Sequence, residues 1–150
     1  MLEAGVTWGL ILVSSAVLLS CGSDSCTDIG CTGLTVAVRP ASTAWQPGEY
    51  QLELTLDDGS RSCSFVLPDD LAQGSSNKRL DCGSHVFPEL GQQALQIRFS
   101  VNPERLGLRL LRDGDVVLSS DGAPPYEKFY PNGRDCGVCW TASMELTVED

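Results

Sequence analysis

The sequence predicts an all-β protein, an antiparallel β-sandwich of immunoglobulin-like architecture that is stapled by disulfide bonds. Seven or eight short segments alternate apolar and polar residues, which is the pattern of a strand with one buried face. Turn signals separate these segments about every 8–12 residues, and no segment keeps the apolar period of a helix. Seven cysteines supply the material for cross-links. This combination is typical of small sandwiches and barrels.

The first half of the domain begins with two strong strand patterns. Residues 34–38 alternate, with Leu34, Val36 and Val38 predicted to face inward, and Pro40 ends the strand. A turn follows at 45–48. The clearest strand is 50–56, because its four apolar residues share one face and its polar residues share the other.

A hairpin turn at 57–60 contains an Asp-Gly pair, which favours the positive φ that tight hairpins need. The return strand is 61–67, with Cys63, Phe65 and Leu67 inward, and the sequence Pro-Asp-Asp ends it. We expect a loop or one short helical turn at 71–77, a short strand at 78–82, and an irregular segment at 83–91.

The second half repeats the alternation. Segment 94–101 is predicted as a strand, and a turn at 102–105 leads into a strand at 106–110. Asp113-Gly114 predicts a second hairpin, whose return strand is 116–119. We also expect strands at 126–130 and at 140–148, separated by turn signals; Ala142, Met144, Leu146 and Val148 lie on one side of the last strand.

The N-terminal stretch has the features of an export signal. Val6 to Ser20 is free of charge, and at about 15 residues it is short for crossing a bilayer but matches the apolar region of a secretory signal. Leu18-Leu19-Ser20-Cys21 resembles the lipobox of bacterial lipoproteins. The resemblance covers only the first 21 residues and implies that Cys21 receives a diacylglyceryl group and becomes the new N-terminus.

This resemblance predicts a signal peptide over 1–20, a lipidated tether with cysteines over 21–32 and a β-sandwich domain over 33–150. Gly22 is not the aspartate associated with inner-membrane retention in enterobacterial lipoproteins, so the resemblance favours the outer membrane, on its periplasmic or extracellular face. Two other interpretations of the N-terminus stay open at this stage, a buried helix and an uncleaved membrane anchor.

The net charge of the chain limits the classes of partner that it is expected to bind. Ten basic and twenty acidic residues give a formal net charge of −10, and no basic patch is visible, which argues against a nucleic-acid partner. Anionic lipid head groups would repel such a domain. We therefore expect membrane attachment through acyl chains rather than through charge, and two or more chains give a stable anchor.

The cysteine count agrees with a lipidated Cys21, because an even number then remains. Export would place these six where disulfides persist. One bond is expected between Cys63 and Cys82, and cross-pairing is expected between the N-terminal pair and the C-terminal pair. Local pairing, a zinc site and a redox Cys-x-x-Cys motif at 136–139 are the alternatives. The disulfide candidates are Cys26, Cys31, Cys63, Cys82, Cys136 and Cys139.

The remaining candidates for chemistry are few. His85 is the only histidine and lies in an irregular stretch without a nucleophile motif, so we expect a surface loop residue. The paired acids at 57–58, 69–70 and 113/115 sit in turns, where Asp is favoured for local backbone bonding. Trp140 is expected to pack on a disulfide, whereas Trp45, in a turn, is the candidate for an exposed contact.

These observations predict a lipid-anchored envelope protein that acts as a non-catalytic binding or structural module, with no cofactor and no metal. Its expected partners are the membrane, through the acyl chains, and a protein or glycan ligand in the envelope. The alternative is a secreted enzyme, a hydrolase or a Cys-x-x-Cys thiol oxidoreductase, which would bring His85 or two carboxylates together in a pocket or expose a reducible Cys136–Cys139 pair.

Overall fold

The computed structural model describes residues 33–72, 77–131 and 133–149. Within these ranges the chain forms ten strands, one short helix and one 3₁₀ turn. The helix α1 is Asp69–Ala72, and the 3₁₀ turn is Arg134–Cys136. The strands are β1 (Leu34–Arg39), β2 (Gly48–Leu56), β3 (Gly59–Leu67), β4 (Asn77–Arg79), β5 (Val86–Gly91), β6 (Leu95–Phe99), β7 (Leu106–Arg112), β8 (Asp115–Gly122), β9 (Glu127–Phe129) and β10 (Cys139–Thr147).

The strands make two packed sheets, which confirms the predicted all-β sandwich. The six-stranded sheet has the order β4-β5-β6-β1-β10-β9, and the four-stranded sheet has the order β3-β2-β7-β8. The described pairings are antiparallel except that of β1 with β10, which is parallel and begins with Leu34 opposite Ala142. The beginnings of β1 and β10 therefore lie at the same end of the sandwich.

One hydrophobic core fills the space between the sheets. The alternation predicted from the sequence is observed, since every second residue of β2 from Tyr50 to Leu56 is buried. The same period holds in β6 and in the first five residues of β7. Burial of these side chains supplies the main driving force for folding. Fully buried core residues include Val36, Val38, Leu52, Leu54, Leu95, Ile97, Leu108 and Leu110.

The expectation of an irregular segment at 83–91 is wrong, because residues 86–91 form β5. The strand contains Pro88, which cannot donate to a strand ladder. The carbonyl of Pro88 accepts from Leu80 N at 3.0 Å, on the β4 side and beyond the end of β4 at Arg79. The nitrogen of Pro88, which carries no hydrogen, faces the same side as its carbonyl. The ladder between β5 and β6, on the other side, therefore loses no hydrogen bond.

The two predicted hairpins are both present. Asp57 and Asp58 form the turn between β2 and β3. Asp113 and Gly114 join β7 to β8 with φ values of 53° and 91°. Positive φ at both central residues is the requirement of a type I′ hairpin, which Asp-Gly satisfies at low steric cost.

The predicted bond between Cys63 and Cys82 is confirmed, with the two Cα atoms 4.7 Å apart. Cys63 lies in β3, the edge strand of the four-stranded sheet, and Cys82 follows β4, the edge strand of the six-stranded sheet. The bond therefore joins the two sheets along one side of the sandwich. Both cysteines are buried within the core.

The predicted export signal, the lipidated Cys21, and the tether with Cys26 and Cys31 all lie outside the described residues. No helix in the described ranges has both the length and the apolar character needed to cross a bilayer.

Candidate functional site

A cleft of about 320 Å³ opens at the end of the sandwich opposite the start of β1. Three parts of the chain form it: the segment between β1 and β2, the end of β3 with α1, and the turn between β5 and β6. These parts meet because β1 ends beside the start of β6, where Val38 pairs with Leu95. The lining residues are Thr43, Ala44, Trp45, Pro47, Leu67, Pro68, Leu71, Gln92 and Gln93.

Trp45 has a fixed position in this cleft. Its indole Nε1 donates a hydrogen bond to the carbonyl of Gly91 at 3.1 Å, which ties the β1–β2 segment to the end of β5. Its ring meets Tyr50 edge-to-face, with centroids 5.8 Å apart, and Tyr50 stacks on Phe65 at 5.0 Å. Trp45 is half-buried against the core. The predicted contact residue is thus a ring held in place, with part of its surface available to the cleft.

Tyr50, a buried core residue, contacts the Trp45 ring and holds the turn that follows it. Its hydroxyl donates to the carbonyl of Gln46 at 2.9 Å, which fixes the turn that follows Trp45. Burial raises the pKa of the Tyr50 hydroxyl, although Arg112 opposes that shift through a hydrogen bond and its charge. The neutral hydroxyl therefore remains a donor over the physiological range and keeps this turn in register with β2.

The helix α1 brings Leu71 to the cleft and is itself held by Asp70. The Asp70 carboxylate accepts from Lys78 Nζ in β4 and from the backbone N of Val66 at 2.7 Å. The hydrogen bonds from Lys78 and Val66 lower the pKa of Asp70, so the carboxylate is ionised well into the acid range. Leu71 N also donates to the carbonyl of Pro68 at 2.9 Å. This wall of the cleft is therefore joined to both β3 and β4.

The described residues that line the cleft are uncharged. Leu67, Pro68 and Leu71 supply apolar surface, while Thr43 and the two glutamines supply hydroxyl and amide groups. A pocket of apolar walls with a few hydrogen-bonding groups is typical of a small-ligand site. Since a buried charge requires a partner of opposite sign, this lining is suited to a neutral ligand.

His85 and the acids of the first hairpin meet at a second, smaller hollow of about 170 Å³. His85 has a φ of 67°, is exposed, and lies with Nδ1 3.0 Å from Ser100 Oγ. The carboxylate of Asp57 accepts from the backbone N atoms of Glu104 and Arg105 at 2.7 and 3.1 Å. These groups lie in three separate parts of the sequence, and the fold brings them to one hollow.

The carboxylates at this hollow already bond to groups in the neighbouring loop and strand. Asp57 fastens the loop before β7, and Asp58 forms an ion pair with Arg61 at 2.8 Å. Asp113 has a similar use in the second hairpin, since its Oδ1 accepts from Glu49 N at 2.9 Å. These contacts agree with the turn role that the sequence predicts for the acid pairs.

Cys136 and Cys139 are both disulfide-bonded. Cys139 is buried at the start of β10, and Cys136 ends the 3₁₀ turn. Their predicted pairing with Cys26 and Cys31 involves residues outside the described ranges. Across the residues that the structure describes, no three His, Cys, Asp or Glu side chains are grouped so that they could hold a metal ion.

Trp140, which the sequence predicts to pack on a disulfide as a core aromatic does, is not a core residue. It remains 39% exposed, and Lys128 Nζ lies 5.2 Å from its ring centroid. Trp140 pairs with β9 at the edge of the six-stranded sheet, before the part of β10 that pairs with β1. Among the described residues, the core cluster and the side chains packed against it do not include Trp140.

No protein-family model, no curated protein and no solved structure matches this chain. The site must therefore be interpreted from its own residues. Trp45 was identified in the sequence, but Leu71, Gln92 and Gln93 carried no signal of their own. Only the packing of three separate segments brings them to one cleft.

Proposed function

We propose that this chain is a lipid-anchored protein of the bacterial cell envelope and that its β-sandwich is a non-catalytic module that binds a neutral glycan in the Trp45 cleft. Attachment to the membrane is through acyl chains on Cys21, with the outer membrane favoured. The observation that carries the binding role is the cleft itself, where a fixed tryptophan ring lies among uncharged amide and hydroxyl groups.

The direction of β1 supports this arrangement. The tether enters the domain at Leu34, and the cleft lies beyond the other end of β1. Six residues of strand separate the two ends by about 20 Å. A protein anchored at the first end would present the cleft away from the bilayer, where a ligand has access to it.

The chemistry of the lining supports a glycan. Sugar rings offer C–H faces that pack on aromatic rings, and their hydroxyl groups exchange hydrogen bonds with amide side chains. Because the indole N–H of Trp45 is already used by Gly91, the ring contributes an apolar surface rather than a donor. Gln92 and Gln93 are exposed at the rim and supply the polar contacts.

The second hollow is less suited to catalysis. Its carboxylates hold backbone amides and an arginine, so they are positioned for the loops rather than for a substrate. A hydrolase would require one of them to act as an acid or base within reach of a reacting group. Cys139 is also buried, whereas a catalytic cysteine pair has to be accessible for thiol–disulfide exchange.

The anchor is tested by labelled-palmitate incorporation. Wild type should be labelled, and Cys21→Ser should not. Cys26→Ser, which removes a nearby cysteine outside the lipobox, should be labelled like wild type. Labelling of Cys21→Ser would contradict the proposed site of lipidation.

The ligand is tested by titrating the protein with neutral oligosaccharides in a calorimeter. Trp45→Ala should abolish the binding that wild type shows, whereas Trp140→Ala, which removes an exposed tryptophan elsewhere, should leave it unchanged. Binding of uncharged peptides but not of oligosaccharides would contradict the glycan while keeping the cleft. Equal loss in both variants, or no binding of either class, would contradict the cleft.

A further inference from the structure

The hairpin formed by β9 and β10 carries an exposed apolar tip at the end of the domain where the tether enters. We infer that this tip, defined by Phe129, Tyr130, Val138 and Trp140, docks into the interfacial layer of the lipid bilayer and sets how the domain sits on the membrane. The inference rests on the lipid anchor proposed above, and goes beyond it by assigning a second membrane contact made by the folded domain.

The apolar tip concentrates the exposed hydrophobic surface of the described residues. Its four residues are strongly exposed: Phe129 by 53%, Tyr130 by 40%, Val138 by 43% and Trp140 by 39%. They lie within twelve residues of sequence, whereas the other exposed large hydrophobics of the described ranges are scattered along β3, β5 and β8 as Val66, Phe87 and Val116. A local concentration of this kind marks a site of contact with another apolar phase.

The placement of the apolar tip follows from the parallel pairing of β1 and β10. Ala142 N donates to the carbonyl of Gly33 at 3.3 Å, so the point where the tether enters lies beside β10. Trp140 is two residues before Ala142, which is about 7 Å along a strand. The apolar tip and the entry of the tether therefore share one end of the sandwich, and the cleft is at the other.

The length of chain between the lipid and the domain keeps that end close to the bilayer. Eleven residues separate Cys21 from Gly33, and even fully extended their twelve Cα–Cα steps span at most about 40 Å. The acyl chains would hold Cys21 at the bilayer surface. The end that carries the apolar tip is consequently held within about 40 Å of that surface, within reach of the head groups.

The register of the hairpin favours a bilayer over a protein partner. Cys139 pairs with Phe129, and Trp140 pairs with Lys128, so Phe129 and Trp140 point to opposite faces of the hairpin. A protein partner would cover one face, whereas lipid surrounds an inserted tip on all sides. Tryptophan and tyrosine are enriched at the level of the lipid head groups, because each ring has an apolar body and a polar edge.

The charges of this hairpin also permit approach to lipid. Residues 127–140 contain Glu127, Lys128, Arg134 and Asp135, which sum to zero, in a chain whose formal net charge is −10. Lys128 lies over the Trp140 ring, where it can reach phosphate groups. The hairpin itself therefore adds no net negative charge that would oppose its approach to lipid head groups.

The test uses the purified lipidated protein, reconstituted into phosphatidylcholine vesicles with and without lipids brominated near the glycerol end of one acyl chain. Mass spectrometry first shows whether residues 1–20, which include Trp8, are absent. Trp45→Phe then leaves Trp140 as the reporter in the apolar tip, and Trp140→Phe leaves Trp45 as the matched reporter at the far end. Flotation of the vesicles measures the anchor independently of the fluorescence.

We expect brominated lipid to quench Trp140 fluorescence at least about twofold more than Trp45 fluorescence. In the Trp45→Phe background, Phe129→Ser with Val138→Ser should reduce that quenching. Phe87→Ser should not, since Phe87 lies on β5 outside the apolar tip although its exposure is comparable. Floating protein in which the two tryptophans are quenched equally would overturn the inference and leave the anchor intact.

Two further outcomes would also overturn it. Protein that does not float, or that retains residues 1–20, would remove the proposed anchor and the docking that rests on it. A dimer in detergent, seen by light scattering and lost on Phe129→Ser, would assign the apolar tip to a contact between copies of the chain.

Discussion

The indole Nε1 of Trp45 and the carbonyl oxygen of Gly91 lie 3.1 Å apart and share a hydrogen bond across the end of the sandwich. The two residues are 46 positions apart in the sequence, so the bond ties the β1–β2 segment to the end of β5. Trp45→Phe keeps an aromatic ring but removes the donor, leaving the half-buried Gly91 carbonyl without this bond. We expect unfolding free energy to fall by about 1 kcal/mol in urea titrations.

Trp140→Phe is the matched control for that measurement. Its indole is exposed, so the substitution should change the free energy of unfolding by less than about 0.5 kcal/mol. Equal effects of the two substitutions would show that the bond from Trp45 to Gly91 does not hold the cleft together.

The glutamines at the rim separate binding from stability. Gln92 and Gln93 are exposed, so replacing both with alanine should leave the urea midpoint unchanged. If they bond the glycan, the loss of two neutral hydrogen bonds should weaken its binding about tenfold in calorimetry. Gln51→Ala, on the outer face of β2, serves as the control. Unchanged affinity in the double variant would exclude the rim from recognition.

Asp70 should make the stability of the domain depend on pH in the acid range. Its pKa is lowered by the hydrogen bonds from Lys78 and Val66, so the ionised carboxylate stabilises the folded state. That stabilisation is present above the unfolded pKa of about 4 and is lost as pH falls through the lower folded pKa. Asp70→Asn should therefore cost about 1 kcal/mol at neutral pH and progressively less below about pH 4.

Urea unfolding at several pH values checks this expectation. Asp69→Asn is the control, since Asp69 is an exposed neighbour in the same helix. A cost of Asp70→Asn that stays constant down to pH 2 or so would mean that its charge is not the source of the effect.

The alternation of apolar and polar residues was sufficient to predict most of the sandwich. In a half-buried strand every second residue faces the core and is apolar, so the sequence itself shows which face is buried. Tyr50 to Leu56 and Leu106 to Leu110 are examples in which every predicted inward residue is buried. The prediction missed β5, a strand that contains Pro88. Whether a proline disrupts a ladder depends on which side of the strand its nitrogen faces. That side is fixed by the neighbouring strands and not by the local sequence.

The site was less predictable than the fold. Trp45 could be singled out as an aromatic residue in a turn, but its partners Gln92 and Leu71 look like ordinary loop residues. The adjacent Cys139 predicts that Trp140 packs on a disulfide, whereas the structure leaves Trp140 exposed where β10 pairs with the edge strand β9. The lining of the cleft and the exposure of Trp140 both depend on how separate segments of the chain pack together. Local sequence patterns carry no information about that packing.

Removal of the bond between Cys63 and Cys82 should destabilise the domain strongly. The bond spans 19 residues and joins the edge strands of the two sheets, so it restricts the unfolded chain and closes one side of the core. Replacing both cysteines with serine should lower the free energy of unfolding by roughly 3 kcal/mol. Thermal unfolding of the variant and of wild type, both without reductant, measures the difference. A loss below about 1 kcal/mol would show that the core alone holds the sheets together.

Tyr126 offers a contrasting case, in which removal of a polar group should stabilise the protein. Its hydroxyl is buried and has no hydrogen-bond partner among the described residues. Burial, with a smaller contribution from the charge of Asp57, raises the pKa of Tyr126 to about 12. Since an unpaired buried hydroxyl is costly, Tyr126→Phe should raise the free energy of unfolding by about 1 kcal/mol at neutral pH.

The same group should make wild type sensitive to alkali. Because the folded pKa lies above the unfolded value of about 10, the hydroxyl ionises first in the unfolded chain, so this group leaves the stability of wild type unchanged below about pH 10 and lowers it between about pH 10 and 12. The advantage of Tyr126→Phe over wild type should therefore widen across that window in urea titrations. Tyr130→Phe, at an exposed position, should show no comparable widening. If Tyr126→Phe were less stable than wild type at neutral pH, the hydroxyl would have to be bonded in solution.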